Sequence, residues 1–175
     1  MSAPIRPVAD HPGAALAPVG DPLLAGVGPG AWADRPNVPD RTLDGQPKVR
    51  PLRTAPGFSL EPRDPDPRGM AVVGADGVQA GVCREAWVNT SEPQLLYLEV
   101  DLSAGGCRVL VPIGFVQIDA RRRTLKVNAI LARQIADVPT TAATDTITVL
   151  EEDKICAYFA GGYLYATPAR SEPIV

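Results

Sequence analysis

Long hydrophobic runs are missing from this chain. No window reaches the roughly 18 to 20 uninterrupted apolar residues that a membrane-spanning helix requires. The most apolar stretch, 102–118, is broken by Arg108 and Pro112. The residues in hand therefore hold no bilayer-crossing helix, and the start MSAPIRPVADHP lacks the basic-then-apolar order of a secretory leader. Histidine is almost absent. The single His11 lies in a Pro/Ala-rich stretch, which removes imidazole acid-base chemistry and histidine metal clusters from consideration. Cysteine is scarce too: Cys83, Cys107 and Cys156 are odd in number and form no CxxC pair, so neither a disulfide framework nor a zinc site is suggested. Reduced thiols in apolar surroundings fit best. No excess of positive charge exists either, since the net charge is -3 and the pI near 5.2. Nucleic acid, which needs a basic face, is not an expected partner.

Proline is present in quantity and unevenly placed. Of 19 prolines, fourteen fall in residues 1–68. Proline removes amide donors and pushes its predecessor toward extended backbone, so this third reads as irregular or polyproline-like chain and not a packed domain. It nevertheless carries Leu23, Leu24, Val27, Trp32, Val38, Leu52 and Phe58, more apolar material than a linker needs. An extended arm lying on another surface is the expectation for 1–68. The glycines of GVGPG follow no strand and Pro29 removes an amide, so the motif reads as a turn and not a phosphate cradle.

From Met70 short alternating runs take over. Segments 71–74, 79–88, 95–102, 108–111, 114–119 and 124–128 predict strands, with Asp76-Gly77 suiting a tight hairpin. Leu96, Leu98, Val100 and Leu102 give one wholly apolar face; Leu95, Tyr97, Glu99 and Asp101 give a mixed one. Five or six such strands favour a small antiparallel barrel over 69–148. A helix is predicted at about 149–160, opened by the capping box Thr148/Glu151 and stopped by Gly161-Gly162. Ile155, Tyr158, Phe159 and Tyr163 read as core or docking contacts, and residues 171–175 as a tail. The fold class is thus mainly β with one C-terminal helix (149–175 with its tail), preceded by the Pro-rich arm.

Catalytic constellations do not emerge: no Ser-His-Asp, Cys-His or paired-carboxylate pattern is visible. A small enzyme using Cys83 or Cys107 is the weakest of three readings. Arg121, Arg122 and Arg123 sit between two strands, where a solvated hairpin tip competes with contact to anionic lipid headgroups, worth up to roughly 1 kcal/mol per basic residue. Glu92, in the polar turn Asn89-Thr90-Ser91-Glu92-Pro93, is fixed at the end of a rigid sheet; a merely solvated turn carboxylate is the competing reading.

Six ordered segments carry a resemblance: GDPLLAGVGPGAWADR, KVRPLRTAPGF, DPDPRGMAVVGADGVQAG, WVNTSEPQLLYLEV, ADVPT and VLEEDKICAYFAGGYLYATPAR. Together they resemble the H subunit of purple-bacterial photosynthetic reaction centres, whose globular part contains a PRC-barrel. The resemblance implies a non-enzymatic subunit on the cytoplasmic side of the photosynthetic membrane. Its implied role is to cap the L and M subunits, shield the quinone region from water and conduct protons to the secondary quinone. It implies no cofactor on this chain itself; bacteriochlorophyll, bacteriopheophytin, quinones and non-haem iron belong to partner subunits, with antenna proteins and anionic lipid nearby. Carried over by position, Glu92 corresponds to the family acid near the secondary quinone, Asp44 to an aspartate where protons come in, and Lys48 to the basic residue after it. Where some members place two histidines after the L-D-G turn, this chain reads Gln46-Pro47, and where some have an aspartate three residues before the acid it has Asn89. Family members also begin with one transmembrane helix. Its absence here implies a separate transmembrane fragment, a helix-less variant or a truncated chain, and the start at Met1 favours the first two. The alternative from another class is a free-standing PRC-barrel module that docks soluble partners, for which the acidic balance is unfavourable.

Overall fold

The computed structural model describes residues 5–103 and 105–171. Its elements, in chain order, are β1 (Ile5–Pro7), β2 (Leu16–Pro18), β3 (Val49–Pro51), β4 (Ala71–Val73), β5 (Gln79–Asn89), β6 (Gln94–Leu102), β7 (Arg108–Pro112), β8 (Val116–Asp119), β9 (Thr124–Val127), α1 (Ala132–Ile135) and α2 (Val149–Tyr165). The protein is mainly β with one long helix near its C-terminal end, of the PRC-barrel kind.

Six strands lie in the order β7-β6-β5-β4-β9-β8, and β3 pairs with the far end of β5. The long β5–β6 hairpin is the backbone of the sheet. Its register shifts near Cys83/Glu85 and Trp87/Val88, the irregularity that bends a strand toward closure. The chain turns the last corner through Ile113–Phe115, which joins β7 directly to β8. An all-antiparallel sheet was expected; β4 and β9 instead run parallel, Val72 opposite Leu125. Parallel partners need a long crossover, and β5 to β8 supply it. Asp76-Gly77 forms the anticipated turn, with Gly77 at φ 75 and the Asp76 carboxylate accepting from the Val78 amide.

The core follows from alternation. Leu98 and Val100 of β6, Val72 of β4, Leu125 and Val127 of β9 and Phe159 of α2 are all essentially inaccessible. Each such side chain contributes about 1.5–3 kcal/mol of burial free energy. Yet the other face of β6 is covered as well: Tyr97 and Glu99 are only 4% and 3% exposed.

α2 starts as its capping box dictates. Thr148 Oγ1 accepts from the Glu151 amide at 3.1 Å, and Glu151 returns a carboxylate oxygen to the Thr148 amide at 2.8 Å. Thr148 also donates to Asn37 Oδ1 at 2.9 Å, tying the arm to the helix start. Thr148→Ala is expected to cost about 1 kcal/mol, read as a shift in the denaturant midpoint. The other end differs from expectation. Gly161 and Gly162 do not stop the helix, which runs on to Tyr165. They lie where backbone meets backbone: a Cβ on Gly162 would stand 2.5 Å from the Ala129 carbonyl oxygen, and one on Gly161 3.2 Å from Gly30 Cα. The glycines let a helix pass close to two loops. Arg170 then closes this end, its guanidinium donating to the carbonyls of Ala129 and Gly162. Of the expected tail, Ser171 donates to the Leu164 carbonyl, and 172–175 lie outside the described residues.

The Pro-rich arm is not wholly irregular. Its first part pairs β1 with β2, and β3 joins the main sheet. Between them the chain runs along α2: the Ala33 amide and Arg35 both reach Asp153, Lys154 lies over the Trp32 ring, and the Val149 amide donates to the Val38 carbonyl. Part of the surface on which the arm lies is therefore this chain's own helix. GVGPG forms a 3-10 turn at Gly28–Gly30 against it.

Candidate functional site

β3 brings the candidate polar residues together. Because Val49 stands opposite Asn89, Lys48 falls beside Thr90, whose amide and hydroxyl both donate to the Lys48 carbonyl at 2.8 and 3.0 Å. That seats Lys48 against the β5–β6 turn carrying Glu92. Within the turn, Asn89 Oδ1 accepts from the amides of Ser91 and Glu92 at 2.9 and 3.2 Å. An amide side chain here acts as a clamp on the turn backbone. The Glu92 residue itself is exposed, and its carboxylate accepts no hydrogen bond among the described residues.

Asp44 sits on the tight loop 41–47, closed by the Arg41 to Pro47 bridge and by Arg41 donating to the Gly45 carbonyl. The Thr42 hydroxyl donates to its carboxylate at 2.5 Å and holds it below the usual carboxylate range. Lys48 leads away from this loop and pairs with Asp40 at 3.5 Å. Asp44, Lys48 and Glu92 thus occupy one edge, linked through β3 and the β5 end, without touching one another. Leu43, next to Asp44, is fully exposed.

Arg121, Arg122 and Arg123 are the tip of the β8–β9 hairpin and are all exposed. Arg122 is held by Asp119 at 3.1 Å, and Arg123, at φ 51, turns toward the Arg68 carbonyl. The base of that hairpin shares a cleft with the Glu92 turn: Ile118, Pro93 and Leu95 lie under the roof formed by Phe58, Leu60 and Pro67.

Two features escaped the sequence reading. The first is a buried acid. Glu99 Oε2 accepts from Arg53 Nη1 at 2.8 Å and Trp87 Nε1 at 2.9 Å, and Oε1 from Arg108 Nη1 at 3.2 Å. Directly across the ladder, Glu85 is also buried and faces Arg68 at 3.7 Å. Like charges opposed on two strands repel, so each needs its own guanidinium. The second is Tyr97, whose hydroxyl donates to Glu152 Oε2 at 2.8 Å and lies 3.9 Å from Cys156 Sγ. Burial pushes the Glu152 carboxyl and the Cys156 thiol up, and the Tyr97 phenol well up, so Tyr97 stays a donor. The alternation Tyr97, Glu99 was visible in the sequence as a mixed face; what covers it was not.

Residues 1–54 match the family model of the photosynthetic reaction centre H-chain N-terminal region, and residues 61–134 match the PRC-barrel domain. The chain belongs to the photosynthetic reaction-centre H-chain family. The first match extends across the arm, which a free-standing PRC-barrel module does not explain. Membership makes the H chain a structural subunit associated with a membrane-bound reaction-centre complex. Among the described residues of this H chain no helix is long and apolar enough to cross a membrane. Nor do three His, Cys, Asp or Glu side chains gather there as metal ligands. Cys83 is poorly suited as a nucleophile: burial pushes it up to about 12, leaving a thiol and not a thiolate at neutral pH.

Proposed function

We propose that this H chain caps the cytoplasmic face of the reaction-centre L and M subunits, shields the secondary quinone from water and passes protons toward it. The supporting observation is the shared edge: the turn carrying Glu92 is braced by Asn89 and by Lys48, and its carboxylate has no partner among the described residues. A carboxylate fixed on a sheet end and left unpaired is available to water and to a neighbouring subunit. Desolvation by that neighbour is what makes a proton carrier out of a surface acid.

Asp44 takes a different part. Its carboxylate is stabilised in the charged form by Thr42, so at neutral pH it draws protons and cations to the edge and does not store them. Lys48, paired with Asp40, supplies the positive counterpart. Exposed apolar side chains on the arm, Leu16 and Leu43 among them, supply contact surface for the partner subunits. The exposed Arg121–Arg123 tip suits anionic lipid headgroups beside the complex. Pigments, quinones and non-haem iron reside in the partners.

Glu92→Gln keeps the turn's shape and removes the exchangeable proton. In the assembled complex it is expected to slow flash-induced proton uptake after the second electron reaches the quinone, with complex assembly unchanged. Uptake at the wild-type rate would sink the role given to Glu92.

A further inference from the structure

The Glu152 carboxylate is poorly compensated for so enclosed a position. It projects from the first turns of α2 toward β6, half-buried, and its one hydrogen bond among the described residues comes from the Tyr97 hydroxyl at 2.8 Å. Among the described residues no Lys or Arg stands within ion-pair distance of it; the cation that influences it, Lys48, is already paired with Asp40 at 3.5 Å. The groups facing it are Tyr97 on β6, Asp40 and Lys48 on the arm, and Asp153 and Cys156 on its own helix. Two of these are acids that oppose its ionisation, and one is a cation engaged elsewhere. Contrast Glu99 on the adjoining stretch of β6, which receives two guanidiniums and an indole N–H. Glu99 has a charged partner on each oxygen, whereas Glu152 has one neutral hydroxyl.

We infer that Glu152, held by Tyr97 behind the Asp40–Lys48 pair, is an internal proton-exchange site of this subunit, fed from the edge that carries Asp44 and Glu92. A solvent hydronium drawn to that edge gives its proton to the Glu152 carboxylate and leaves as water. The neutral carboxyl later returns the proton to water and becomes carboxylate again. Tyr97 remains protonated throughout, because its buried phenolate would be far costlier, and serves to orient the carboxyl. The inference rests on the proton-conducting reading above and adds a second acid to it.

Linkage gives a test within the chain alone. Burial raises the native proton affinity of Glu152. The folded state then binds more protons than the unfolded one just above the ordinary glutamate value of about 4.3, so stability falls as pH rises from there through the native value. In the full chain, E152Q is expected to lose that part of the fall while keeping the Tyr97 hydrogen bond. The infrared difference between wild type and E152Q is expected to contain one protonated-carboxyl band that titrates above the exposed acids. If that band titrates with the exposed acids, or the stability profiles coincide, the inference is wrong, whatever Glu92 does. In the assembled complex, E152Q is expected to change the pH profile of light-driven proton uptake; an unaltered profile overturns the assignment. Glu92→Gln read in the same complex tests the other acid by rate, so the two failures are distinguishable.

Discussion

Glu99→Ala is expected to lower the unfolding free energy by about 3 kcal/mol, the low end of what breaking a buried ion pair costs. Truncation strands three donors at once: Arg53 Nη1, Arg108 Nη1 and Trp87 Nε1. The arginines are 36% and 44% exposed and can turn toward water, so their share is modest. Trp87 cannot, being 1% exposed; its N–H would be left in the half-open cavity of about 100 Å³ that it shares with Glu99 and Thr144. That space has polar groups on its wall and is large enough for a water, which sets a ceiling on the penalty. Glu99→Gln preserves volume and one acceptor, and is expected to cost about 1–2 kcal/mol. Urea unfolding with an unchanged m-value checks both. A Glu99→Ala protein within about 0.5 kcal/mol of wild type would mean that the box holds nothing together.

The box also ties separate parts of the chain. Arg53 comes from the 3-10 turn after β3, its second Nη donates to the Thr144 carbonyl at 2.5 Å, and Arg108 bridges Glu99 to Asp101. Arm and sheet therefore meet on one carboxylate, and Arg53 carries the link on to the loop before α2. Loss of Glu99 is expected to loosen β3, and with it Lys48 and the Thr90 bonds that brace the Glu92 turn. A stability mutation far from Glu92 thus reaches the proposed proton edge through a strand only three residues long.

Local pattern made much of the fold readable. Strand alternation located β4 to β9, Asp76-Gly77 placed the β4–β5 hairpin, and Thr148/Glu151 fixed the helix start, because each depends on residues within one turn or one strand. What stayed hidden depends on neighbours distant in sequence. The β1–β2 pairing and the seat of β3 lie in a segment whose prolines mask strand character, although Pro51 ends β3 where no further ladder bond is needed. The mixed face of β6 resembles a solvent face until the arm and α2 cover it, so Glu99 and Tyr97 gave no local sign of burial. The same holds for the edge: Glu92 in a turn was legible, but its nearness to Lys48 exists only because Val49 pairs with Asn89. Glu152 lies in the first turn of α2, where an acid matches the helix dipole, a place that says nothing of Tyr97 opposite.

Gly161-Gly162 exposes the limits of local rules most sharply, and Gly162→Ala turns the point into a measurement. Helix propensity alone predicts a gain of up to about 1 kcal/mol, since alanine is the better helix former in a helix interior. Packing predicts the reverse. The new methyl would stand 2.5 Å from the Ala129 carbonyl oxygen and 2.9 Å from its carbon, backbone atoms that cannot rotate aside. The Gly162 and Ala129 carbonyls are bound by the same Arg170 guanidinium, so moving one disturbs the other. Overpacking of this kind typically costs about 1–3 kcal/mol and here falls at the upper end. The net expectation is a loss of about 2 kcal/mol on chemical denaturation, after the propensity gain is set against the clash. Gly161→Ala should lose less, because its nearest obstacle, the Gly30 Cα of a short 3-10 turn, stands farther off at 3.2 Å. A Gly162→Ala protein more stable than wild type would show that α2 can shift off the β9–α1 connection freely. The seating of Glu152 against Tyr97 would then be adjustable too, and the fixed geometry on which the Glu152 assignment depends would be lost.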